Sequence, residues 1–181
     1  MIPFISVIMI AIGLSMDAFS LAILYGTLNF SKRKTLILAA CVGVFHFFMP
    51  LFGNAIGLKV LKILPVSSNI VVGIIFMILS IQMLISVFKE EEIVDLRGLD
   101  SIVLFAFTVS IDSFSVGIGL STICDNKLLA VSAFSLTSFF FTYLGIAIGG
   151  SLTNKFGKIS TLFGSIVLLC LSLVYLFFYN G

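Results

Sequence analysis

Gly13-Leu-Ser-Met-Asp-Ala-Phe-Ser20 and Thr108-Val-Ser-Ile-Asp-Ser-Phe-Ser115 are one motif written twice, each inside an apolar run. Ser15, Asp17, Phe19 and Ser20 recur as Ser110, Asp112, Phe114 and Ser115, always 95 residues apart. Each copy sets a single carboxylate in a stretch long enough to cross a bilayer. Every other acid falls in a segment that reads as a loop. A carboxylate near a bilayer centre costs roughly 2.5–3.5 kcal/mol on insertion scales. A chain that carries this cost twice, in matched contexts, is most simply read as using both acids.

The surrounding composition sets the class. The chain has 181 residues, 60% of them hydrophobic and only 10% charged, with a mean hydropathy of +1.29. Soluble domains carry far more charge, so a membrane protein is expected. A spanning helix needs about 20 apolar residues, and spans near 2–25, 35–58, 66–88, 101–121, 128–151 and 159–178 use nearly the whole chain. These runs are too long for buried strands and lack the alternation of a membrane barrel. The expected fold is an all-α polytopic membrane protein of six helices. The first residues lack the basic region of a cleaved signal, and the apolar run that follows carries Asp17, so it reads as a retained span. Cys41, Cys124 and Cys170 are too scattered for a thiolate metal motif and odd in number for a disulfide framework.

The linkers carry the turn and charge signals: Asn29 to Thr35, Lys59 to Pro65, Lys89 to Asp100, Asp125 to Lys127, and Asn154 to Lys158. Pro65 with Ser67 and Ser68 reads as a helix start. Orientation follows from basic residues in short loops. The odd loops hold seven, Lys32, Arg33, Lys34, Lys89, Arg97, Lys155 and Lys158, against three, Lys59, Lys62 and Lys127, in the even loops. The odd loops are therefore expected in the cytoplasm and both termini outside. Glu90, Glu91, Glu92, Asp95 and Asp100 in the third loop read as a solvated linker, with a weak cation-attracting vestibule as the alternative.

The duplication extends beyond the acids. Gly53 and Gly57 match Gly145 and Gly149 at an offset of 92, a register that pairs His46 with Ser138 and Pro50 with Thr142. The expected organisation is a three-helix repeat over 1–88, a charged cytoplasmic linker over 89–100 and a second repeat over 101–181. Three is odd, so the second half must enter the membrane in the opposite sense. Inverted repeats of this kind characterise many secondary transporters, whose sites lie near the midplane between the halves.

Helical spacing puts Gly13, Asp17, Ser20 and Leu24 on one face, and Thr108, Asp112, Ser115 and Gly119 on the matching face of the fourth span. Two such faces meeting would offer two carboxylates and two hydroxyls to a hard divalent cation. Without the cation, repulsion between the acids favours a bound proton, a route to exchange of protons for metal. Asp17, Asp112, Ser20 and Ser115 are thus candidate metal ligands. Ser15 and Ser110, two residues before the acids, point elsewhere on an ideal helix and matter only if the helices are broken there. Met16 could serve as a soft ligand, but its counterpart in the repeat is Ile111, so it reads as packing. His46, the only histidine, lies in the second span on a stripe with Gly43, Pro50, Gly53 and Gly57, and is a candidate metal ligand or proton acceptor. Pro50 frees a carbonyl near residue 46, and the two glycine pairs favour close helix packing. Gln82 and Asn69 in the third span read as interhelical hydrogen bonds.

Ser-Met-Asp-Ala-Phe at 15–19, Met-Pro-Leu-Phe-Gly at 49–53 and Ser-Ile-Asp-Ser-Phe at 110–114 together resemble the MntP family of manganese efflux pumps, over nearly the whole chain. The resemblance implies a bacterial inner-membrane exporter of Mn2+, distantly related to LysE-type exporters, whose intramembrane acids correspond to Asp17 and Asp112. A related sporulation-associated branch shares similar Asp-Phe motifs. At one position the chain departs from the family: His46 stands where Gln or Glu is usual, and an imidazole there would alter cation preference or proton coupling.

Moving one charge against 100 mV costs about 2.3 kcal/mol, so a departing dication faces roughly 4.6 kcal/mol and needs a coupled source. The chain contains no P-loop motif, which leaves proton antiport through Asp17, Asp112 and His46 as the economical expectation. Export of another divalent ion or small solute is the alternative. An intramembrane aspartyl protease would need an acid in the Gly-x-Gly-Asp pattern, which Gly117-Ile-Gly-Leu120 lacks. No permanently bound cofactor, nucleic-acid partner or obligatory protein partner is expected; the partners are a divalent metal ion and the lipid bilayer.

Overall fold

The computed structural model describes residues 4–28, 30–63, 66–89, 96, 98–151 and 154–178. Among them every regular element is helical: α1 Phe4–Gly26, α2 Lys32–Ile63, α3 Ser68–Phe88, α4 Leu99–Val109, α5 Ile111–Ile118, α6 Leu120–Ile123, α7 Lys127–Gly149 and α8 Asn154–Phe177. Among the described residues, six stretches are long and apolar enough to cross a membrane: Ile5–Gly26, Lys32–Ile63, Ser68–Phe88, Leu99–Ile118, Lys127–Gly149 and Phe156–Phe177. The chain is an all-helical, multi-pass membrane protein, as its composition requires.

The helices outrun the apolar runs. The linker expected up to Thr35 is already helical from Lys32, because the Ser31 hydroxyl accepts from the Lys34 N–H at 3.3 Å and the Thr35 N–H reaches the Ser31 carbonyl at 2.9 Å. Asn154 to Lys158, also read as linker, lies inside α8. Hydropathy marks the part of a helix that sits in lipid, whereas backbone hydrogen bonds continue until a cap stops them. At 1.5 Å per residue the 32 residues of α2 extend about 48 Å, past a hydrocarbon core of about 30 Å. Its exposed Lys32, Arg33, Lys59 and Lys62 sit on the overhanging turns. The helix start read at Ser67 and Ser68 coincides with α3, for which Ser67 is the N-cap residue. Asn29, Pro65, Glu90, Glu91, Glu92, Asp95 and Arg97 lie outside the described residues.

The fourth span departs from the single helix expected over 101–121. At Ser110 (φ −96°, ψ 4°) the N–H turns back to the Phe107 carbonyl at 3.1 Å, a tighter bond than the α ladder uses. Gly119 (φ −91°, ψ 2°) makes a second break before the short α6. The breaks place Asp112 in the first turn of α5, where unpaired N–H groups favour negative charge.

All the principal packing joins a helix from residues 4–88 to one from residues 99–177. α1 packs on α7 and α8, α2 on α7 and on the broken fourth span, and α3 on α8. Close contact is made where side chains vanish. A Cβ at Gly53 would run into the Phe114 carbonyl, and one at Gly57 into that of Ile118. On the other side, a Cβ at Gly145 would lie 2.9 Å from the Phe19 carbonyl, and one at Gly149 would run into that of Ile23. Pro50 belongs to the same contact, with its carbonyl against Gly117. Outward-facing Ile5, Phe52, Leu104, Leu136 and Phe163 are exposed, forming the apolar surface that lipid must cover.

Candidate ion site

Asp17 from the middle of α1 and Asp112 from the start of α5 line one cavity of about 190 Å³, together with Leu79, Gln82, Met83 and Ser86 of α3 and Leu168 of α8. The two acids of the duplicated motif, 95 residues apart, therefore meet in space. Asp112 is 19% exposed and is held by its neighbour: the Ser113 N–H donates to Oδ1 at 2.6 Å, and the Ser113 hydroxyl lies at 3.3 Å. Among the described residues, the Asp17 carboxylate makes no hydrogen bond, and no Lys or Arg pairs with either acid. Two carboxylates in a low-dielectric wall with no fixed countercharge are costly until a cation enters.

The nearest countercharge or ligand is His46. Its ring is fully buried, and Nε2 lies 3.9 Å from Asp112 Oδ1 with no hydrogen-bond partner of its own. The other nitrogen decides the tautomer. Nδ1 is 3.0 Å from the Val42 carbonyl, which can only accept, and 2.9 Å from the Ser110 hydroxyl. That hydroxyl already donates to the Ala106 carbonyl at 2.7 Å. Nδ1 therefore carries the hydrogen in the neutral ring, and the Nε2 lone pair faces the Asp112 carboxylate. Two first-row metal bonds of about 2.1 Å span at most about 4.2 Å, so one cation can reach both atoms.

The same arrangement is mirrored without the imidazole. The Ser15 hydroxyl donates to the Ala11 carbonyl at 2.7 Å and meets the Ser138 hydroxyl at 3.1 Å. Ser138 is the residue that pairs with His46 in the repeat. Ser15 and Ser110 thus point away from the cavity and bind the neighbouring helix, but Ser110 does so at a helix break and orients His46.

Ser20 and Ser115 do not line the cavity. Ser20 is buried against α8, its hydroxyl 3.0 Å from where a Gly157 Cβ would be, and Ser115 is half-buried. A displacement of three residues moves each hydroxyl about 4.5 Å along its helix, out of reach of the carboxylate level. Thr108, placed on the Asp112 face by an unbroken helix, is exposed and bonded to the Leu104 carbonyl at 2.9 Å, because the break at Ser110 turns α4 relative to α5. Gln82, expected to hydrogen-bond across helices, makes no hydrogen bond among the described residues and lies on the cavity wall instead. Met83 and Ser86 were missed. The available signal was i, i+1, i+4 proximity to Gln82, the one amide in the lower half of a very apolar helix. Among the described residues no three His, Cys, Asp or Glu side chains form a closed metal cage, and all three cysteines are free. The wall is an open, two-carboxylate site.

A direct expectation concerns His46. His46→Leu removes the buried imidazole beside Asp112 and should lower divalent-cation affinity by at least about tenfold, in the range found when residues supporting a metal site are lost. His46→Gln returns an amide oxygen and should retain most of it. Titration of purified protein with a first-row divalent cation distinguishes them, and equal affinities for both variants would remove His46 from the site.

A family profile described as "Putative manganese efflux pump" matches residues 29–176. Similar proteins include the "Putative manganese efflux pump MntP" of Bacillus pumilus, 32% identical over 168 residues, covering 92% of this chain and 91% of the relative. Those of Geobacillus thermodenitrificans and Geobacillus kaustophilus are 32% and 33% identical, with 93% of each chain covered in both comparisons. No solved structure matches the chain. With the profile spanning most of the sequence and the relatives aligned nearly end to end, the chain belongs to the MntP family, a family of manganese efflux transporters and not of enzymes.

Proposed function

We propose that this chain is a secondary transporter that exports Mn2+ from the bacterial cytoplasm across the inner membrane, in exchange for protons. Asp17 and Asp112 are the carboxylate ligands, and His46 is a ligand to the ion and a proton acceptor when the ion has left. The observation that carries this reading is one cavity walled by both acids, with no Lys or Arg neutralising either among the described residues. A cavity of about 190 Å³ holds roughly six waters at about 30 Å³ each. That suits a partly hydrated ion and falls below the ~300 Å³ at which sites for larger organic ligands begin. The relatives' shared description as manganese efflux pumps supports the ion and the direction.

Residues 1–88 and 101–181 are the two inverted repeats, with the 89–100 linker in the cytoplasm and both termini outside. Paired contacts support the symmetry: Gly53 with Phe114 matches Gly145 with Phe19, Gly57 with Ile118 matches Gly149 with Ile23, and Ser110 with His46 matches Ser15 with Ser138. The cavity runs from the acids toward the C-terminal end of α3, where Ser86 lies two residues from the last helical residue. In the proposed orientation that end faces the cytoplasm. Toward the other end, α3 and α8 are shut: the Phe76 and Tyr175 rings meet edge to face at 5.5 Å, and the Ser172 hydroxyl donates to the Gly73 carbonyl at 2.7 Å. Tyr175 is the position that matches Met83 in the repeat. Alternating access then exchanges which half of the α3–α8 contact is open.

Export of a dication against 100 mV needs roughly 4.6 kcal/mol, which returning protons supply. Inside-out vesicles containing the protein should take up Mn2+ when their lumen is acidic and release lumenal protons as they do so. Mn2+ uptake that moves no protons and ignores the pH gradient would refute antiport.

A further inference from the structure

The cavity wall facing the two acids is supplied by α3, and it is chemically mixed. Gln82 offers an amide oxygen, Ser86 a hydroxyl, and Met83 the only sulfur among the lining residues. Met83 is only 7% exposed, in a helix that is otherwise strongly apolar. Its methyl end is fixed against α8 at Gly164, where a Cβ would lie 2.7 Å from Met83 Cε and 2.8 Å from both the Gly13 carbonyl and Met16 Cβ. The thioether is therefore held in place by α1 and α8, the helices that also contribute Asp17 and Leu168 to the cavity. Gln82, two helical positions from Ser80 and its bond to the Ser165 carbonyl at 2.8 Å, makes no hydrogen bond among the described residues. An amide at a cavity wall with its polar atoms uncommitted is available to an ion.

We propose that Met83 is the specificity-determining residue of this site, a thioether donor that favours a first-row transition dication over Mg2+ and Ca2+, and that Gln82 is a neutral oxygen ligand to the same ion. This rests on the proposed divalent-ion site at Asp17 and Asp112. Two carboxylates alone are poor discriminators, because Mg2+ and Ca2+ prefer oxygen donors as strongly as Mn2+ does. Thioether sulfur is a soft ligand that the hard alkaline-earth ions gain almost nothing from, so adding one raises affinity selectively. Gln82 adds an oxygen without a third negative charge, which strengthens ligation while leaving the ion able to depart. Selectivity against Mg2+ is the central demand on any site that must find a scarce dication in its presence.

The test is competition binding on the purified full chain in lipid nanodiscs. Loss of the free Mn2+ paramagnetic resonance signal is followed, with Mg2+ as the competing ion. Met83→Leu conserves volume, and Met83→Gln replaces sulfur by a hard oxygen at similar length. Each should narrow the Mn2+ over Mg2+ affinity ratio by at least about tenfold, the lower end of the losses seen when a metal site's support is removed. Met83→Gln should do so partly by binding Mg2+ better. Gln82→Leu should weaken both ions and leave the ratio closer to that of the unaltered chain. An unchanged ratio in whichever Met83 variant is monodisperse overturns the proposal for Met83, and unchanged affinities in Gln82→Leu overturn it for Gln82. Asp17→Asn run alongside separates the two levels. If it abolishes Mn2+ binding while the Met83 ratio is unchanged, the selectivity proposal fails and the carboxylate site stands. If it leaves Mn2+ binding intact, the carboxylate site itself is wrong.

Discussion

Asp17→Asn and Asp112→Asn should each abolish manganese tolerance in cells that depend on this protein for it, while leaving a folded protein in the membrane. Asn is nearly isosteric with Asp, and at 112 its amide oxygen can still accept the Ser113 N–H that now donates at 2.6 Å. What disappears is charge. A hard dication leaving water needs anionic oxygen, and the cavity has two such groups with no others among its lining residues. Loss of one should cost more than the 10–100-fold expected for a supporting residue, so about a hundredfold or greater in Mn2+ affinity. The stability expectation has the opposite sign. Without metal, two carboxylates share a poorly solvated wall with no Lys or Arg partner among the described residues, and neutralising one relieves that cost. Each Asn variant should therefore melt at or above the temperature of the metal-free parent. Mn2+ at about 100 times its dissociation constant should raise the parent's stability by about 2.7 kcal/mol and leave the variants unmoved. Retained tolerance together with Mn2+-dependent stabilisation in either Asn variant would contradict the proposed site.

Gly57→Ala and Gly149→Ala should lose most of the folded protein, an effect far larger than a methyl group usually has. At both positions the new Cβ would meet a backbone carbonyl, of Ile118 or Ile23, inside van der Waals contact. A carbonyl in a helix cannot rotate away, so the whole helix must back off. Overpacking of a tight interface costs typically 1–3 kcal/mol, and here the neighbouring contacts at Gly53 and Gly145 would open with it. In lipid there is no hydrophobic drive to push the helices back together, because the acyl chains are as apolar as the side chains they replace. Gly13→Ala is the control. Its Cβ would meet the flexible Leu168 side chain at 3.3 Å, which can shift, so near-normal yield is expected. Detergent-extracted yield and monodispersity by size exclusion read all three. Equal yield from Gly13→Ala and Gly57→Ala would show that the close carbonyl contact is not limiting.

The class of the fold was readable because lipid imposes a simple rule: a spanning segment must satisfy its own backbone and present about 20 apolar residues. Six runs met it, and six helices meet it in three dimensions. The acids were readable for the same reason, since Asp17 and Asp112 violate the rule and do so in duplicate. Helix ends were less legible, as Lys32 and Asn154 show, because capping is set by hydrogen bonds and hydropathy is silent about them.

Amino-acid order alone was enough to read six spans of membrane-crossing length, two carboxylates inside them, and glycine pairs suited to tight contacts. Which faces meet became visible with the packed helices. Burial against lipid and burial against another helix look alike in apolar composition, so the pairing of α1 with α7 and α2 with α5 rests on shape at Gly53, Gly57, Gly145 and Gly149, and that of α3 with α8 on shape at Gly73 and Gly164. The same holds at the site. The break at Ser110 turned Thr108 away, and the i+3 step carried Ser20 and Ser115 along their helices and out of the cavity. Packing of α3 against α8 brought Gln82, Met83 and Ser86 to face the acids, and a separation of 64 residues closed to 2.9 Å between Ser110 and His46. A one-dimensional pattern specifies which side of a helix is polar; which polar groups share a cavity is set by the distances between helices, and those exist only after packing.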